Sequence, residues 1–300
     1  MKKILAALSL TITLFGCQKS GGNDRDDANA KYKVSLNIID FAAKATTMGT
    51  QGNKANAAVT DTAKKYADNI YYRIYKADGT WLNETSQLAS LATFGTITDS
   101  LPSGTYTVFL AASKGALTLS DKTVPYETAV YSPLDNNKAW NDTFTKSFKL
   151  TVAKADINQS VSLERVVSAY EVVLEDAIPT LADEMYIAVR PNFESLPMNG
   201  IIKSTPDATS HIKFKLTAAD KGVKNKSFPG FLSNSLSPVT ISLRVYSSAN
   251  TVVADKNIDP IVFEKNKKTT LTGALMPGSP ASNYKVEVDP TWGGNNNIKF

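Results

Sequence analysis

Three hundred residues, 42% hydrophobic and 20% charged, suffice for about two packed domains and exclude a disordered chain. The formal charge of +5 includes Lys2 and Lys3, and the rest of the surplus is too small and scattered for a nucleic-acid surface. The single cysteine, Cys17, excludes an internal disulfide and a cysteine-based zinc site.

From the N-terminus, Lys2-Lys3 precedes the apolar run Ile4–Phe15. At about 1.5 Å per residue this run is well short of a bilayer core of about 30 Å. Residues 1–16 therefore read as a signal peptide rather than a membrane span. Leu14-Phe15-Gly16-Cys17 resembles the bacterial lipobox, which implies cleavage before Cys17 and lipidation of its thiol and new amino group. An ordinary signal peptide with a chance cysteine is the alternative. Multiple acyl chains would satisfy the two-signal requirement for stable anchoring. Residues 17–30 are almost free of apolar side chains and read as a lipidated tether. Asp24, Asp26 and Asp27 read as tether solvation rather than a calcium site, and they partly match the surface-export signals of Bacteroidota lipoproteins.

Structure is predicted from Lys31. Val34, Leu36 and Ile38 alternate as the core face of a first strand, Lys33–Ile38. Ala42–Tyr66 breaks the pattern and reads as a long loop, functional or disordered. It contains Lys44, Lys54, Lys64 and Lys65 but no arginine. The nearest arginines are Arg25 before the strand and Arg73 in the next one. Asn69–Lys76 is a strand closed by the Asp78-Gly79 turn, and Thr93–Thr98 is another candidate. Pro102 and Gly104 then turn into a strand pointing Tyr106, Val108 and Leu110 one way. Ser113–Asp142 reads as irregular, and Phe148, Leu150 and Val152 mark a strand.

Ser160–Leu174 sits at the middle of the chain. Its apolar positions are odd at Val161 and Leu163 and even at Tyr170, Val172 and Leu174. Side chains in a strand alternate with period two, so the chain must bulge, bend or change sheets near Arg165–Ser168. This divides it into residues 31–164 and 165–300. The second half continues with Met185–Val189, Ile212–Leu216, Val239–Tyr246, Pro260–Phe263, Thr269–Leu275 and a last strand with Tyr284, Val286 and Val288 on its core face. Many short strands between turns predict an all-β sandwich architecture. Tyr72-Arg73-Ile74-Tyr75 matches Leu243-Arg244-Val245-Tyr246, with Thr80 and Thr251 at equal spacing, so two copies of one fold or chance explain it. Each arginine is expected to lie along the sheet surface.

Catalytic, cofactor and metal sites are not expected. His211, the single histidine, alternates with Lys213 and Lys215 on a polar strand face. No glycine-rich phosphate loop or nucleophile elbow occurs. Glu171, Glu175 and Asp176 could pair for glycoside chemistry, but read better as solubilising charges on an edge strand. Trp81, Trp140 and Trp292 could form a carbohydrate platform, but packing is the simpler account.

The lipobox, the opening alternating strand, Leu101-Pro-Ser-Gly-Thr-Tyr-Thr-Val108, Leu163-Glu-Arg-Val-Val-Ser-Ala-Tyr-Glu-Val-Val-Leu174 and Asn266-Lys-Lys-Thr-Thr-Leu-Thr-Gly273, in that order, resemble the fimbrillin-type lipoproteins of Bacteroidota, closest to fimbrial anchor or accessory subunits. The resemblance implies two tandem transthyretin-like β-sandwiches on an outer-membrane, surface-exposed lipid anchor. It also implies partner subunits joined by strand exchange and no enzymatic activity. Polymerising members lose the first strand to a protease, and anchors keep it. The alternative function is a surface lipoprotein that binds glycan or protein without a pilus. Asp61-Thr62-Ala63 and Asp99-Ser100-Leu101 resemble the short O-glycosylation acceptor motif of Bacteroidota, so Thr62 and Ser100 are expected to carry glycan in loops or turns.

Overall fold

The computed structural model describes residues 30–42, 62–276 and 285–289. Its strands in the first half are β1 (Lys31–Ala42), β2 (Asn69–Tyr75), β3 (Trp81–Leu88), β4 (Thr96–Pro102), β5 (Gly104–Ser113), β6 (Leu117–Leu119), β7 (Val130–Pro133), β8 (Thr143–Val152) and β9 (Ile157–Arg165). In the second half they are β10 (Ser168–Leu174), β11 (Ala182–Asn192), β12 (Leu196–Pro197), β13 (Ala208–Lys215), β14 (Lys226–Leu232), β15 (Val239–Ser247), β16 (Val252–Ile261), β17 (Lys268–Gly273) and β18 (Lys285–Asp289). The fold is all-β.

The break in alternation near Arg165–Ser168 is a change of sheet. β9 belongs to the sheet β3-β2-β5-β8-β9-β1-β4, and β10 to β14-β10-β17-β18. A third sheet, β13-β11-β15-β16, faces the second. Val34, Leu36, Ile38, Val108, Leu110, Leu150 and Leu163 are buried in one core. Tyr170, Val172, Leu174, Ile187, Leu243 and Leu271 are buried in another. A register shift between Ile38 and Asp40 changes the phase of β1, which brings Phe41 into the first core beyond the expected Val34–Leu36–Ile38 face.

The two halves share one topology. β1 pairs antiparallel with β4 and parallel with β9, while β10 pairs antiparallel with β14 and parallel with β17. The ladders β3-β2-β5-β8 and β13-β11-β15-β16 also match in order and direction. The arginine motif is not the marker of this repeat. By topology β2 corresponds to β11 and β15 to β5, so Tyr72–Tyr75 and Leu243–Tyr246 lie on non-equivalent strands. What they share is hairpin chemistry. Arg73 sits opposite Glu84, and Arg244 opposite Asp255. Lys76 N donates to Thr80 O at 2.8 Å, and Ser247 N to Thr251 O at 2.9 Å.

Other expectations need correction. β3 was not anticipated, because Trp81–Leu88 is polar at most positions and carries little alternation. The segment read as irregular contains β6 and β7, which join β12 of the second half in a small sheet. β14 lacks a legible strand pattern because Pro229 and Gly230 interrupt it. Pro229 is tolerated since β14 is an edge strand. Gly230 is required, because a Cβ there would lie 2.2 Å from Tyr170 Cζ. β10 is central rather than an edge, so Glu171 does not solubilise an edge. It pairs with Lys268 at 2.5 Å. The loop expected at Ala42–Tyr66 ends in a helical turn at 62–66.

The halves meet through a third apolar cluster containing Tyr75, Phe109, Tyr131 and Trp140 from the first and Phe193, Leu196 and Met198 from the second. β5 is consequently buried on both faces from Tyr106 to Ser113. Trp140 Nε1 donates to Phe193 O at 2.8 Å, and Ser147 Oγ to Met198 O at 2.6 Å.

Candidate functional site

The stretch of greatest functional interest is β1, because it is the first strand after the tether. It is seated inside a sheet, with β4 on one side and β9 on the other. Phe41 stacks on Tyr66 at 5.0 Å and meets Phe144 edge-on at 5.0 Å. Tyr66 belongs to the turn at 62–66, so the chain after β1 is tied back onto the strand it leaves. Ala63 and Ala67 are fully buried, and Lys114 Nζ donates to Lys64 O at 3.3 Å. Lys64 and Lys65 have exposed side chains on a docked backbone. Arg73 is 3% exposed, and its guanidinium holds Glu84 through Nε at 3.0 Å and Nη2 at 2.7 Å and donates to Ser120 O at 2.6 Å. It therefore lies beneath the third cluster rather than along an open sheet surface, whereas Arg244 is half-buried.

Glu84 and Asp99 in this half are both engaged by partners. Burial alone would raise the Glu84 carboxyl, but Lys122 at 3.0 Å and Arg73 outweigh it and hold the group below its usual range. Burial, with the Asp99 carboxylate accepting its proton at 2.9 Å, pushes the Tyr72 hydroxyl far above the normal tyrosine range. Neither arrangement supplies a group poised near neutral pH for acid–base work.

The residues singled out from the sequence are not brought together. Cys17 and Trp292 lie outside the described residues. Thr62 opens the helical turn and is half-buried. Ser100 is exposed but lies within β4 opposite Lys33, not in a loop. Trp140 is 1% exposed, which removes it from any platform. Lys122 Nζ stands 4.8 Å over the Trp81 ring, so a lysine already occupies that face. His211 is half-buried, with its ring 5.2 Å from Tyr186. Asp176 accepts from Leu275 N and from Met276 N, the latter at 2.7 Å, and is a backbone clasp rather than half of a carboxylate pair. Among the described residues no group of three metal-ligating side chains occurs, and no helix is long and apolar enough to cross a membrane.

Sequence reasoning missed Arg165. It is 7% exposed and bridges the halves at the change of sheet. Nε and Nη2 donate to Asp142 at 2.7 and 3.1 Å, Nη1 donates to Asn266 Oδ1 at 2.8 Å, and the guanidinium lies 4.6 Å over Phe144. Alternation does place Arg165 in phase with buried Val161 and Leu163, but its charge argues against burial, and the partners that allow it, Asp142 and Asn266, are distant in sequence.

A sequence model of the family of unknown function DUF6562 matches residues 27–299. No curated protein matches the chain. Among solved structures, a candidate polysaccharide-binding protein (DUF1812) from Bacteroides thetaiotaomicron VPI-5482 is similar at 11% identity and TM-score 0.54, covering 86% of this chain and 96% of that one. A candidate adhesin from the same organism is similar at 11% identity and TM-score 0.50, covering 88% and 98%. The fimbrial anchor protein Mfa2 from Porphyromonas gingivalis is similar at 11% identity and TM-score 0.47, covering 87% and 98%. At such identities the first two likenesses establish a shared fold.

Proposed function

The chain belongs to the DUF6562 family of unknown function, and we propose that it is a non-enzymatic, lipid-anchored surface protein serving as a fimbrial anchor or accessory subunit. The observation that carries this reading is the seat of β1. An N-terminal strand that follows a candidate lipid anchor is held between two ladders and clamped by the turn at 62–66. Tension on the anchor is thereby fed into the middle of a sheet. The fold shared with a candidate adhesin is in keeping with a place at the cell surface. The two cores and the repeated topology support residues 31–164 and 165–300 as two domains. Isolation of the mature protein from native outer membranes should recover pilus subunits with it. Recovery without any polymer would favour the second reading, a glycan- or protein-binding surface lipoprotein, which the shared fold with a candidate polysaccharide-binding protein keeps in view.

Cys17 is the proposed lipidation site. Cys17→Ser should abolish labelling by a fatty-acid analogue and release the protein from membranes or leave it unprocessed. Equal labelling of wild type and variant would sink the assignment.

Thr62 and Ser100 are proposed as glycan acceptors. Ser100, exposed on the outer face of β4, has room for a sugar, while half-buried Thr62 would need its turn to shift. The intact mass of the native protein should exceed peptide plus lipid, and Ser100→Ala should remove most of the excess. A mass equal to peptide plus lipid rules both sites out.

A further inference from the structure

We infer that the outer face of the sheet β13-β11-β15-β16 binds an acidic polysaccharide, a chain of sugar rings that carry carboxylates. The inference goes beyond the anchor role and stands whether or not a pilus is present. On β11 the even positions from Glu184 to Arg190 face away from the second core, because Met185, Ile187 and Val189 are buried in it. The register then sets what shares that face. Tyr186 lies between Lys213 and Arg244, and Ala188 between His211 and Ser242. On β16, Asp255 stands beside Arg244 and Asn257 beside Ser242.

The matching ladder of the first half carries similar side chains under cover. The outer face of β3-β2-β5-β8 holds Arg73, Tyr75, Phe109 and Ala111, all buried at the third apolar cluster. In the second half Tyr186, His211, Arg244 and Tyr246 are only half-buried, and Arg190 and Lys213 are exposed. The two arginines differ in the same sense. Arg73 directs its donors to Glu84 and Ser120 O. Among the described residues the Arg244 guanidinium makes one hydrogen bond, from Nη1 to Tyr246 Oη at 3.3 Å, and its Nε is enclosed without a partner. A planar fork left so under-used at a surface is matched by a carboxylate, which accepts two parallel N–H bonds.

The rest of the face selects the occupant. Arg190, Lys213, Lys215 and Arg244 outnumber Glu184 and Asp255, so the ligand is anionic. Glu184 is already held by Lys213 at 3.3 Å. The Tyr186 ring lies 5.2 Å from His211 and 6.4 Å from Tyr246, which makes a group of rings on which the C–H face of a sugar can rest. Ala188 and Ser242 are paired and small, so the middle of the face is a shallow bed. Ser242 and Asn257 offer it a hydroxyl and an amide, groups that exchange hydrogen bonds with sugar hydroxyls. Backbone groups inside a sheet are already paired, so a face, unlike an edge, cannot hold a peptide by its main chain. Charge, rings and neutral polar groups together favour an acidic sugar over an acidic peptide.

The test titrates the purified mature chain with an oligogalacturonate and an oligomannuronate by calorimetry. At least one should bind saturably, and an uncharged maltooligosaccharide of equal length should bind ~10-fold more weakly or worse. Arg244→Gln and Tyr186→Ala should each weaken binding ~10-fold with unchanged thermal unfolding. Arg244→Lys should restore only part of the loss, because an ammonium lacks the fork. Asp255→Asn should tighten binding by removing a competing carboxylate, a gain that a purely structural role for Arg244 would not produce. Phenylglyoxal labelling read by mass spectrometry should find Arg244 of the wild-type chain shielded by the sugar, and this readout decides if a variant misfolds. Failure of both acidic sugars to bind saturably, equal binding by the Arg244→Gln variant, or shielding of other arginines alone would overturn the assignment. Equal binding of a polyglutamate peptide would overturn it in favour of an acidic protein partner. Equal binding of the uncharged sugar, or of inorganic phosphate at the same ionic strength, would likewise remove the acidic polysaccharide as the ligand.

Discussion

Peptide mass mapping of the protein from native outer membranes should find residues 31–41 still attached. β1 contributes Val34, Leu36, Ile38 and Phe41, none more than 4% exposed, to the first core. Fully burying one such side chain is worth about 1.5–3 kcal/mol, and a whole domain is stable by only about 5–15 kcal/mol. Removal of the strand would also strip ladder partners from both β4 and β9. Deletion of residues 31–41 should therefore unfold the first core. Leu36→Ala alone should cost about 2–5 kcal/mol in denaturant unfolding, because the side chain is fully enclosed and the site cannot easily collapse. The competing outcome is a cut at Lys64-Lys65 and a mature start within residues 45–66, which would promote a polymerising stalk subunit. The structure weighs against easy cleavage there, since the turn at 62–66 is docked through Ala63, Tyr66 and Ala67. Cutting at Arg73 would require β2 to leave both β3 and β5. A mature protein lacking residues 31–41 would defeat the anchor assignment.

The parts legible from sequence are those set by local alternation. Val34–Leu36–Ile38, Tyr106–Val108–Leu110 and the phase change between Val161–Leu163 and Tyr170–Leu174 declare their faces because each lies against one core. Legibility fails where a second layer covers a strand. Phe109 and Ala111 look outward by alternation, yet they are buried under the cluster formed with Tyr131, Trp140 and Phe193. It fails again at β18, where the expected core face of Val286 and Val288 is 49% and 41% exposed. The period is right there, but an edge strand at the rim of a sandwich has little opposite it to bury against. The repeat is present in topology but is not carried by the arginine motif, because Arg73 and Arg244 answer to similar hairpins on non-equivalent strands. Contacts such as Arg165 with Asn266 and Ser147 with Met198 join distant positions and leave no trace in local pattern.

Arg165→Ala should be among the most damaging single changes outside the two cores. The guanidinium satisfies Asp142, which is 16% exposed, and reaches across the change of sheet to Asn266. Asn266 N in turn donates to Val167 O at 3.0 Å, so the residues flanking the turn in direction are tied to the second half. Removing one partner of a buried pair leaves an uncompensated charge and costs about 3–5 kcal/mol. Replacing both, as Arg165→Met with Asp142→Leu, should cost much less, because the desolvated charges disappear together. The pH dependence has a definite sign. Burial pushes the Asp142 carboxyl up, and Arg165 pulls it back towards the charged form. Without Arg165 the carboxyl rises further, so the folded variant binds a proton more tightly than its unfolded chain. The deficit of the variant should therefore be largest near neutral pH and shrink as pH falls through the range where Asp142 is protonated. Urea unfolding of the wild type, both single variants and the double variant at two pH values measures the coupling. Additive losses that do not change with pH would mean that Arg165 stabilises the joint through its packing on Phe144 and its bond to Asn266, and not through its charge.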